Sequence, residues 1–379
     1  MTTSLTIFPG TWCTEFAAHV TPWSVVNGQT SEKRRTPPWG RVLLVAVVAL
    51  LVAGTGIVLI PRDSGTPPPV PFSESARLSA LEDALLLHES ASGLAEAAGP
   101  GAGEPALGAA VTLLTTHARA LLDPAGSTST ATTKAPSPDT TRASFVAALS
   151  GSGLRRLEDA READGGISRL LAAVGSAQLL QAEKLAIAWQ LPAPKRPSVP
   201  DTEVPAATPS AAACPSVSPT PAAASATTDA ALAAMVRSQQ EAIYAYQVAL
   251  KRLDSPAAAT AAKDLQTHEL ALQHSEALTR ANCGDVPASE AGYRLPAQFA
   301  KDPAASLAAL ELSSLPVFGD LIALSTGEAR TWAVDGLLAA ARRSMAWGAD
   351  LPALPGLEVD AGGLPPLPTP GASSPSAGG

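Results

Sequence analysis

An uncharged apolar run near the N-terminus constrains this chain more than any other feature does. Residues 42–60 read VLLVAVVALLVAGTGIVLI and contain no charged side chain. As a helix, the run would be about 28 Å long, close to the roughly 30 Å hydrocarbon core of a bilayer. It has no polar face, which makes a buried core helix a poor alternative. The run therefore predicts a single N-terminal transmembrane helix.

The residues around this run predict its orientation. Four of the residues from 33 to 41 are Lys or Arg, and positive side chains favour the cytoplasmic side of a membrane. We therefore expect residues 1–41 in the cytoplasm and the bulk of the chain outside it, at the cell membrane. A cleaved signal peptide is the alternative, although the run is long for a signal-peptide core. Thr55 stands where a lipoprotein would carry its acylated cysteine, which favours an uncleaved anchor.

The rest of the chain has the composition of an all-helical protein. Ala and Leu, the strongest helix formers, are abundant, and only 4% of the residues are aromatic. No stretch alternates apolar and polar residues for long enough to predict a sheet. The fold class is therefore predicted to be all-α. Asp and Glu number 34 against 26 Lys and Arg, and an acidic surface repels phosphates, which argues against a nucleic-acid partner.

Stretches rich in Pro, Gly and Ser divide the chain beyond the apolar run. Two groups of four helix-length segments stand on either side of a linker in which Pro, Ala, Ser and Thr predominate. Such composition indicates connections rather than packed structure. We therefore predict, in order, a Pro-rich spacer over 61–72, a helical bundle over 73–191, a Pro/Ala-rich linker over 192–228, a four-helix bundle over 229–349 and a disordered Pro-rich tail over 350–379.

The second bundle has a distinctive order of connections. Its helices are predicted over 229–254, 256–282, 303–325 and 327–348, so that only the connection over 283–302 is long. One long crossover between the second and third helices is the topology of a ferritin-like four-helix bundle.

Several short motifs lie at the turns and ends of these helices. The E-x-x-Y-x-Y turn covers 241–246, Y-x-L-P covers 293–296, DPAASLAALEL covers 302–312 and L-P-A-L-P-G covers 351–356. With these motifs, residues 229–356 resemble a ferritin-like domain of unknown function that occurs in exported, membrane-anchored or lipid-anchored actinobacterial proteins. The resemblance implies the fold and an extracytoplasmic location but no established activity. The first bundle resembles the N-terminal half of such proteins more loosely.

The resemblance also implies where a metal centre would lie. A di-iron centre of this fold uses one Glu from each of two helices and an E-x-x-H pair from each of the other two. Here each helix offers one candidate ligand, and the four candidates are Glu241, His268, Glu311 and Asp335. Leu265 stands where the second helix would need its Glu. The set falls short of six ligands, so we predict a degenerate polar core without a cofactor; one iron or other divalent metal ion is the alternative.

Two tyrosines and two cysteines complete the candidate residues. Tyr244 and Tyr246 are predicted to lie beside Glu241 in the polar core of the bundle, with hydroxyl groups that need polar partners. Cys214 and Cys283 both belong to the predicted extracytoplasmic region, where disulfides persist. We predict a disulfide between them, with two free thiols as the alternative. No catalytic residue is predicted.

These observations favour a binding or scaffold module of the cell envelope, anchored by one helix, over an enzyme. The predicted partners are the membrane and an envelope protein, or a small molecule held in the bundle. The alternative is a divergent metal-binding ferritin-like protein that uses the incomplete carboxylate and histidine set. The chain has no P-loop, no dinucleotide-binding fingerprint and no nucleophile elbow, and the sequence leaves the question of enzymatic activity open.

Overall fold

The computed structural model describes residues 70–98, 105–122, 140–196 and 226–367. Within these ranges the chain forms eight α-helices, two short 3₁₀ helices and no strand. The predicted all-α class is therefore confirmed for the described residues. The predicted transmembrane helix at 42–60, Cys214 and most of the linker lie outside them.

Four of these helices precede the linker and four follow it. The first half contains α1 (Phe72–Ala98), α2 (Pro105–Leu121), α3 (Arg142–Glu162) and α4 (Gly165–Ala188). The second half contains α5 (Thr228–Ala249), α6 (Ser255–Ala281), α7 (Pro303–Leu324) and α8 (Gly327–Ala346). The two 3₁₀ helices are Ala297–Ala300, before α7, and Ala361–Gly363, after α8.

Side-chain caps explain where several helices begin. Asp254 accepts a hydrogen bond from the backbone N–H of Ala257 at 3.3 Å, and a proline follows in the first turn of α6. Asp302 accepts from the backbone N–H of Ala305 at 3.0 Å at the start of α7. Each cap satisfies a backbone donor that has no partner inside its helix, and this stabilises the helix start.

Neighbouring helices pack in a similar order within each half. In the first half, α1 packs against α2 and α3, and α4 packs against the other three helices. In the second half, α5 packs against α6 and α7, and α7 packs against α8. Buried Ala and Leu side chains fill most of the space between the helices. Burial of apolar surface is therefore the main stabilising contribution in both halves.

The two halves share one continuous apolar core. α4 packs against α7 and α8, and α3 packs against α8. Leu171 of α4 belongs to the same cluster of buried side chains as Leu321 and Val334 of the second half. At the edge of this core, Nη2 of Arg161 lies 2.8 Å from Oδ1 of Asp335. The two predicted bundles are therefore packed against each other.

Part of the predicted disordered tail is packed onto the helices. Residues 350–367, which we call the C-terminal segment, are among the described residues. Nε2 of His117 donates to the carbonyl of Ala353 at 2.8 Å, and Nε of Arg169 donates to the carbonyl of Gly356 at 2.8 Å. The prediction of disorder depended on the Pro-rich composition of this tail, which does not show contacts with distant helices. Side chains of the first half instead satisfy the backbone of the segment.

One of the described helices, α7, is long and apolar enough to cross a membrane on length and composition alone. Half of its most apolar stretch is buried inside the protein. It packs against α4, α5 and α8 and carries the buried carboxylate of Glu311. These contacts make α7 the core helix of the second half.

Candidate functional site

Four helices of the second half converge on a buried carboxylate. Glu311, near the middle of α7, has only 1% of its surface exposed. Its Oε1 accepts hydrogen bonds from the hydroxyl of Tyr246 at 2.7 Å and from Nε2 of His268 at 2.8 Å. Nε of Arg343 donates to the same oxygen at 3.1 Å. We call these four residues, together with Gln239, the polar centre.

Helical spacing explains how these side chains meet. Gln239 and Tyr246 are seven residues apart on α5, which is close to two full turns and places them on one face. Both are buried. His268 lies near the middle of α6, and Arg343 lies in the last turn of α8. Each helix of the second half therefore supplies at least one member of the polar centre.

His268 uses both of its ring nitrogens in the polar centre. Nδ1 lies 2.8 Å from Oε1 of Gln239, whose amide nitrogen faces Sδ of Met235 at 3.3 Å. Nε2 lies 2.8 Å from Oε1 of Glu311. The carboxylate of Glu311 can only accept, so Nε2 is the donor in that hydrogen bond. Both ring nitrogens of His268 therefore have a polar partner inside the second half.

Burial and pairing act on the charge of Glu311 in opposite directions. Burial alone would raise the pKa of its carboxyl, because a charge is poorly solvated in the protein interior. The hydrogen bond from His268 and the charge of Arg343 outweigh burial and lower the pKa of Glu311 to about 2. Burial, and then the charge of Glu311, raises the pKa of Tyr246. At neutral pH, Glu311 is ionised and Tyr246 is a neutral donor.

The second oxygen of Glu311 also faces Arg343. Nη2 of Arg343 lies 3.1 Å from Oε2 as an ion pair, although this buried oxygen has no hydrogen-bond partner among the described residues. At the margin, Asp264 of α6 accepts a hydrogen bond from Nε1 of Trp347 at 3.0 Å, and burial raises the pKa of its carboxyl. Glu311 is therefore ion-paired with Arg343 and hydrogen-bonded to His268, both groups of the protein itself.

The structure brings together two of the four predicted ligands. His268 and Glu311 are in direct contact. Glu241 lies on the exposed face of α5, and Asp335 pairs with Arg161 of α3 instead. The expectation that Glu241 and Asp335 point into the same centre is therefore wrong.

Helical geometry explains both errors. Glu241 is two residues after Gln239, a rotation of about 200° around the helix, so the two side chains lie on opposite faces of α5. The position that faces the centre holds an amide rather than a carboxylate. Asp335 lies on the side of α8 that packs against the first half, and this packing was not predicted from the sequence.

The two predicted tyrosines also separate. Tyr246 is fully buried, and its ring centroid lies 5.0 Å from that of His268. Tyr244 is half-buried and packs against Tyr293 of the long connection, with 5.7 Å between ring centroids. Tyr246 therefore belongs to the polar centre, whereas Tyr244 packs the long connection onto α5.

Sequence reasoning missed Gln239 and Arg343. Gln239 could have been found from Tyr246, because a residue seven positions earlier lies on the same helical face. Arg343 lies eleven residues after Trp332, which is about three full turns, and so it continues the stripe of α8 that contains this tryptophan. Both signals depend on helical faces rather than on the chemistry of a ligand.

The polar centre does not fit a metal ion. A metal would need lone pairs of Glu311 and His268. The carboxylate oxygens face Arg343, and Nε2 of His268 donates towards the same carboxylate. In the described parts of the chain, no group of three or more His, Cys, Asp or Glu side chains could hold a metal ion. Arg343 supplies the positive charge at this position.

Cys283 takes part in a disulfide bond. It follows α6 with a positive φ of 58°, a conformation common just after the end of a helix. Its predicted partner, Cys214, lies outside the described residues, so their pairing stays a prediction.

Comparison with known families agrees with part of the resemblance. Residues 231–359 match the model of a family described as Domain of unknown function (DUF4439), which confirms that this region is a domain of unknown function. No curated protein and no solved structure matches the chain. The matched region contains the complete polar centre, whereas α1–α4 lie outside it.

Proposed function

We propose that this chain is a membrane-anchored, extracytoplasmic ferritin-like protein that serves the cell envelope as a binding or scaffold module. The observation that carries the proposal is the neutralised polar centre. Arg343 and His268 satisfy the charge of Glu311, where a ferritin-like metalloprotein would present free ligands. A buried network of this kind is satisfied within the protein and exposes no reactive group. The proposed role is therefore non-catalytic, with a degenerate metal centre.

The connections of the second half support the ferritin-like part of the proposal. Short connections at 250–254 and 325–326 join α5 to α6 and α7 to α8, while 282–302 forms the long crossover. Four-helix bundles with a single crossover have this order. Side chains from all four helices also converge on one central position, as they do in bundles that hold a metal in the core.

The sequence before the described residues supports the anchor. The run at 42–60 is long and apolar enough to span a bilayer, and basic residues precede it. The disulfide at Cys283 supports an extracytoplasmic second half, because structural disulfides are typical of oxidising compartments. The proposed partners are accordingly the membrane, through one helix, and an envelope protein, through the helical surface.

Metal analysis tests the degenerate centre. The full chain, purified in detergent, would be incubated with Fe²⁺, Mn²⁺ or Zn²⁺, desalted and measured by elemental analysis. We expect no stoichiometric metal, and equal values for the wild type and for Glu311→Gln. The exposed Glu241→Gln variant is the matched control. Stoichiometric metal that is lost in Glu311→Gln but kept in Glu241→Gln would contradict the proposal and establish the metal-binding alternative.

Reporter fusions in a bacterial host test the location. A phosphatase that folds only outside the cytoplasm would be fused after residue 367 and, in a second strain, after residue 40. We expect activity from the first fusion only, and membrane association of the full chain that survives washing with high salt. Activity of the second fusion alone, or recovery of the chain in the soluble cytoplasmic fraction, would overturn the proposed topology.

A further inference from the structure

We infer that the two halves are copies of one four-helix unit, and that α7 and α8 form a pairing surface for a second copy of that unit. The first half occupies this surface within the same chain.

The order of helix packing is the first observation that supports this inference. In each half the first helix packs against the second and third, and the third packs against the fourth. The connections have similar lengths at every step, and the corresponding pairs are 99–104 with 250–254, 122–141 with 282–302, and 163–164 with 325–326.

The ends of the two halves carry the same local structure. Trp189 is the C-cap of α4, and Trp347 is the C-cap of α8. Each tryptophan is followed by a residue with positive φ, namely Gln190 at 55° and Gly348 at 98°. The tripeptide Leu-Pro-Ala then follows in both halves, at 191–193 and at 351–353. The tripeptide follows Gln190 directly in the first half and is separated from Gly348 by two residues in the second. A shared cap, a shared turn and a nearby shared tripeptide indicate a common origin.

The buried faces of the first helices coincide. When α1 is moved forward by 155 positions, seven of its buried residues fall on buried residues of α5. An agreement over about four turns indicates that the two helices present the same face to their neighbours. The pairs are Ala76 with Ala231, Arg77 with Leu232, Ala80 with Met235, Leu81 with Val236, Ala84 with Gln239, Leu87 with Ala242 and Ala91 with Tyr246.

The same comparison gives an apolar counterpart for each member of the polar centre. We align α2 with α6 on the buried Leu107 and Ala261, α3 with α7 on Ser144 and Ser306, and α4 with α8 on the two tryptophans. The pairs are Gln239 with Ala84, Tyr246 with Ala91, His268 with Leu114, Glu311 with Leu149 and Arg343 with Leu185. All five counterparts are buried, and all but Ala84 belong to one apolar cluster.

The contacts between the halves have the pattern of a two-fold axis. α4 packs against α7, α3 packs against α8, and α4 packs against α8. If α3 is exchanged with α7 and α4 with α8, the same three contacts result. Two copies of one unit that pair through the same surface produce such a pattern. The first half therefore contacts α7 and α8 as a second copy of the unit would.

Charges at this surface distinguish the two copies. Arg161 pairs with Asp335 at 2.8 Å, and Arg169 pairs with Asp320 at 2.6 Å. In both pairs the arginine belongs to the first half and the aspartate to the second. A third pair, Glu183 with Arg342 at 2.8 Å, joins α4 to α8 in the opposite sense. Two second halves would lack Arg161 and Arg169, so the surface favours a unit that carries arginine at these positions.

Replacing the polar centre by its counterparts tests the equivalence of the positions. The variant combines Tyr246→Phe, which keeps the volume, with His268→Leu, Glu311→Leu and Arg343→Leu in the full chain. We expect one cooperative unfolding transition at a temperature within a few degrees of the wild type, because the first half accepts Leu at these three positions. The single variant Arg343→Leu, which leaves Glu311 without this cation, should unfold roughly 5–10 °C lower.

Either of two results would overturn the equivalence. One is a midpoint for the combined variant that lies below that of Arg343→Leu. The other is failure of the combined variant to fold when each of its four single variants folds.

Cutting the linker tests the pairing surface. A protease site between residues 197 and 213 would be cleaved after folding, and the products analysed by size exclusion in detergent with a reductant, so that no disulfide can join them. We expect the two pieces to remain one complex. Asp320→Arg with Asp335→Arg should weaken the complex about tenfold or more, and adding Arg161→Asp with Arg169→Asp should restore it. Separation of the wild-type pieces, or no effect of the charge reversal, would contradict the inference.

Discussion

Where the second half brings Glu311 and Arg343 into contact, the first half places Leu149 and Leu185. The surrounding helices follow the same order in both cases, and these positions are buried except for Arg343, which is partly buried. The comparison teaches that the packing of four helices does not depend on the charged network. Apolar side chains of suitable volume fill the interior of the same four-helix arrangement.

The polar centre of the second half and the apolar cluster of the first differ in what each side chain requires of its neighbours. A buried leucine is stabilised by contact with any apolar neighbour, at about 25 cal/mol for each Å² removed from water. A buried carboxylate needs cationic or hydrogen-bonding partners, and removal of one partner from a buried pair costs about 3–5 kcal/mol. The second half is therefore more sensitive to single substitutions at its centre, while the first half is more sensitive to the introduction of a charge.

The largest effect is expected when a carboxylate is placed in the first half alone. Leu149→Glu copies Glu311 into the apolar cluster without a cation beside it. We expect it to lower the free energy of unfolding by about 4 kcal/mol or more, or to prevent folding. Leu149→Met is the matched control, with an expected loss below about 1.5 kcal/mol. Chemical denaturation measures both, and equal losses would break the comparison.

A smaller effect is expected from acid in the second half. The folded-state pKa of Glu311, about 2, lies below its value in the unfolded chain. The unfolded state therefore binds more protons as the pH falls through about 4.5 towards 2, and stability present above this window is lost within it. We expect the loss attributable to Glu311 to be roughly 3 kcal/mol. This loss of stability should be absent in the triple variant with Glu311→Leu, His268→Leu and Arg343→Leu. Chemical unfolding of both proteins, measured at each pH, tests the expectation.

The first half has a different pH window. Burial lowers the pKa of His117 to about 4, against the hydrogen bond to the carbonyl of Ala353. Here too the unfolded chain binds the proton more readily. The stability that the buried His117 contributes is therefore complete above about pH 6.5 and is lost as the pH falls through 4. We expect a loss of roughly 2–3 kcal/mol, which His117→Gln should remove. An unchanged profile in that variant would show that His117 does not cause the loss.

The smallest effect is expected at Glu241. Its side chain is exposed on the face of α5 opposite to the polar centre. Glu241→Ala should change the free energy of unfolding by less than about 0.5 kcal/mol, whereas Gln239→Ala removes a buried partner of His268 and should cost about 1–3 kcal/mol. Thermal and chemical denaturation distinguish the two. A larger loss at Glu241 than at Gln239 would reverse the assignment of faces.

The sequence predicts the helical class and most helix boundaries because these depend on local chemistry. Caps such as Asp254 and Asp302, and the composition of the connections, are visible in a single chain. The meeting of His268 with Glu311 was also within reach, since both stand on apolar faces of their helices. These inferences need only the residues within a few turns of each other.

The remainder depends on contacts between distant parts of the chain. Glu241 was chosen because the resemblance implies an inward Glu on the first helix of the bundle, yet the direction of α5 relative to its neighbours decides which residue points inward. Asp335 faces Arg161, 174 positions away, and the C-terminal segment is held by side chains of α2 and α4. The sequence alone does not show that the two halves pack together, so it could not predict these partners.

The coupling between Glu311 and Arg343 tests the central claim most directly. A double-mutant cycle with Glu311→Leu, Arg343→Leu and the double variant would compare free energies of unfolding at neutral pH, in the presence of a chelator. We predict a coupling energy of about 2 kcal/mol or more, with the double variant more stable than Arg343→Leu alone. A coupling below about 0.5 kcal/mol would mean that Arg343 does not neutralise the buried carboxylate, and would contradict the account.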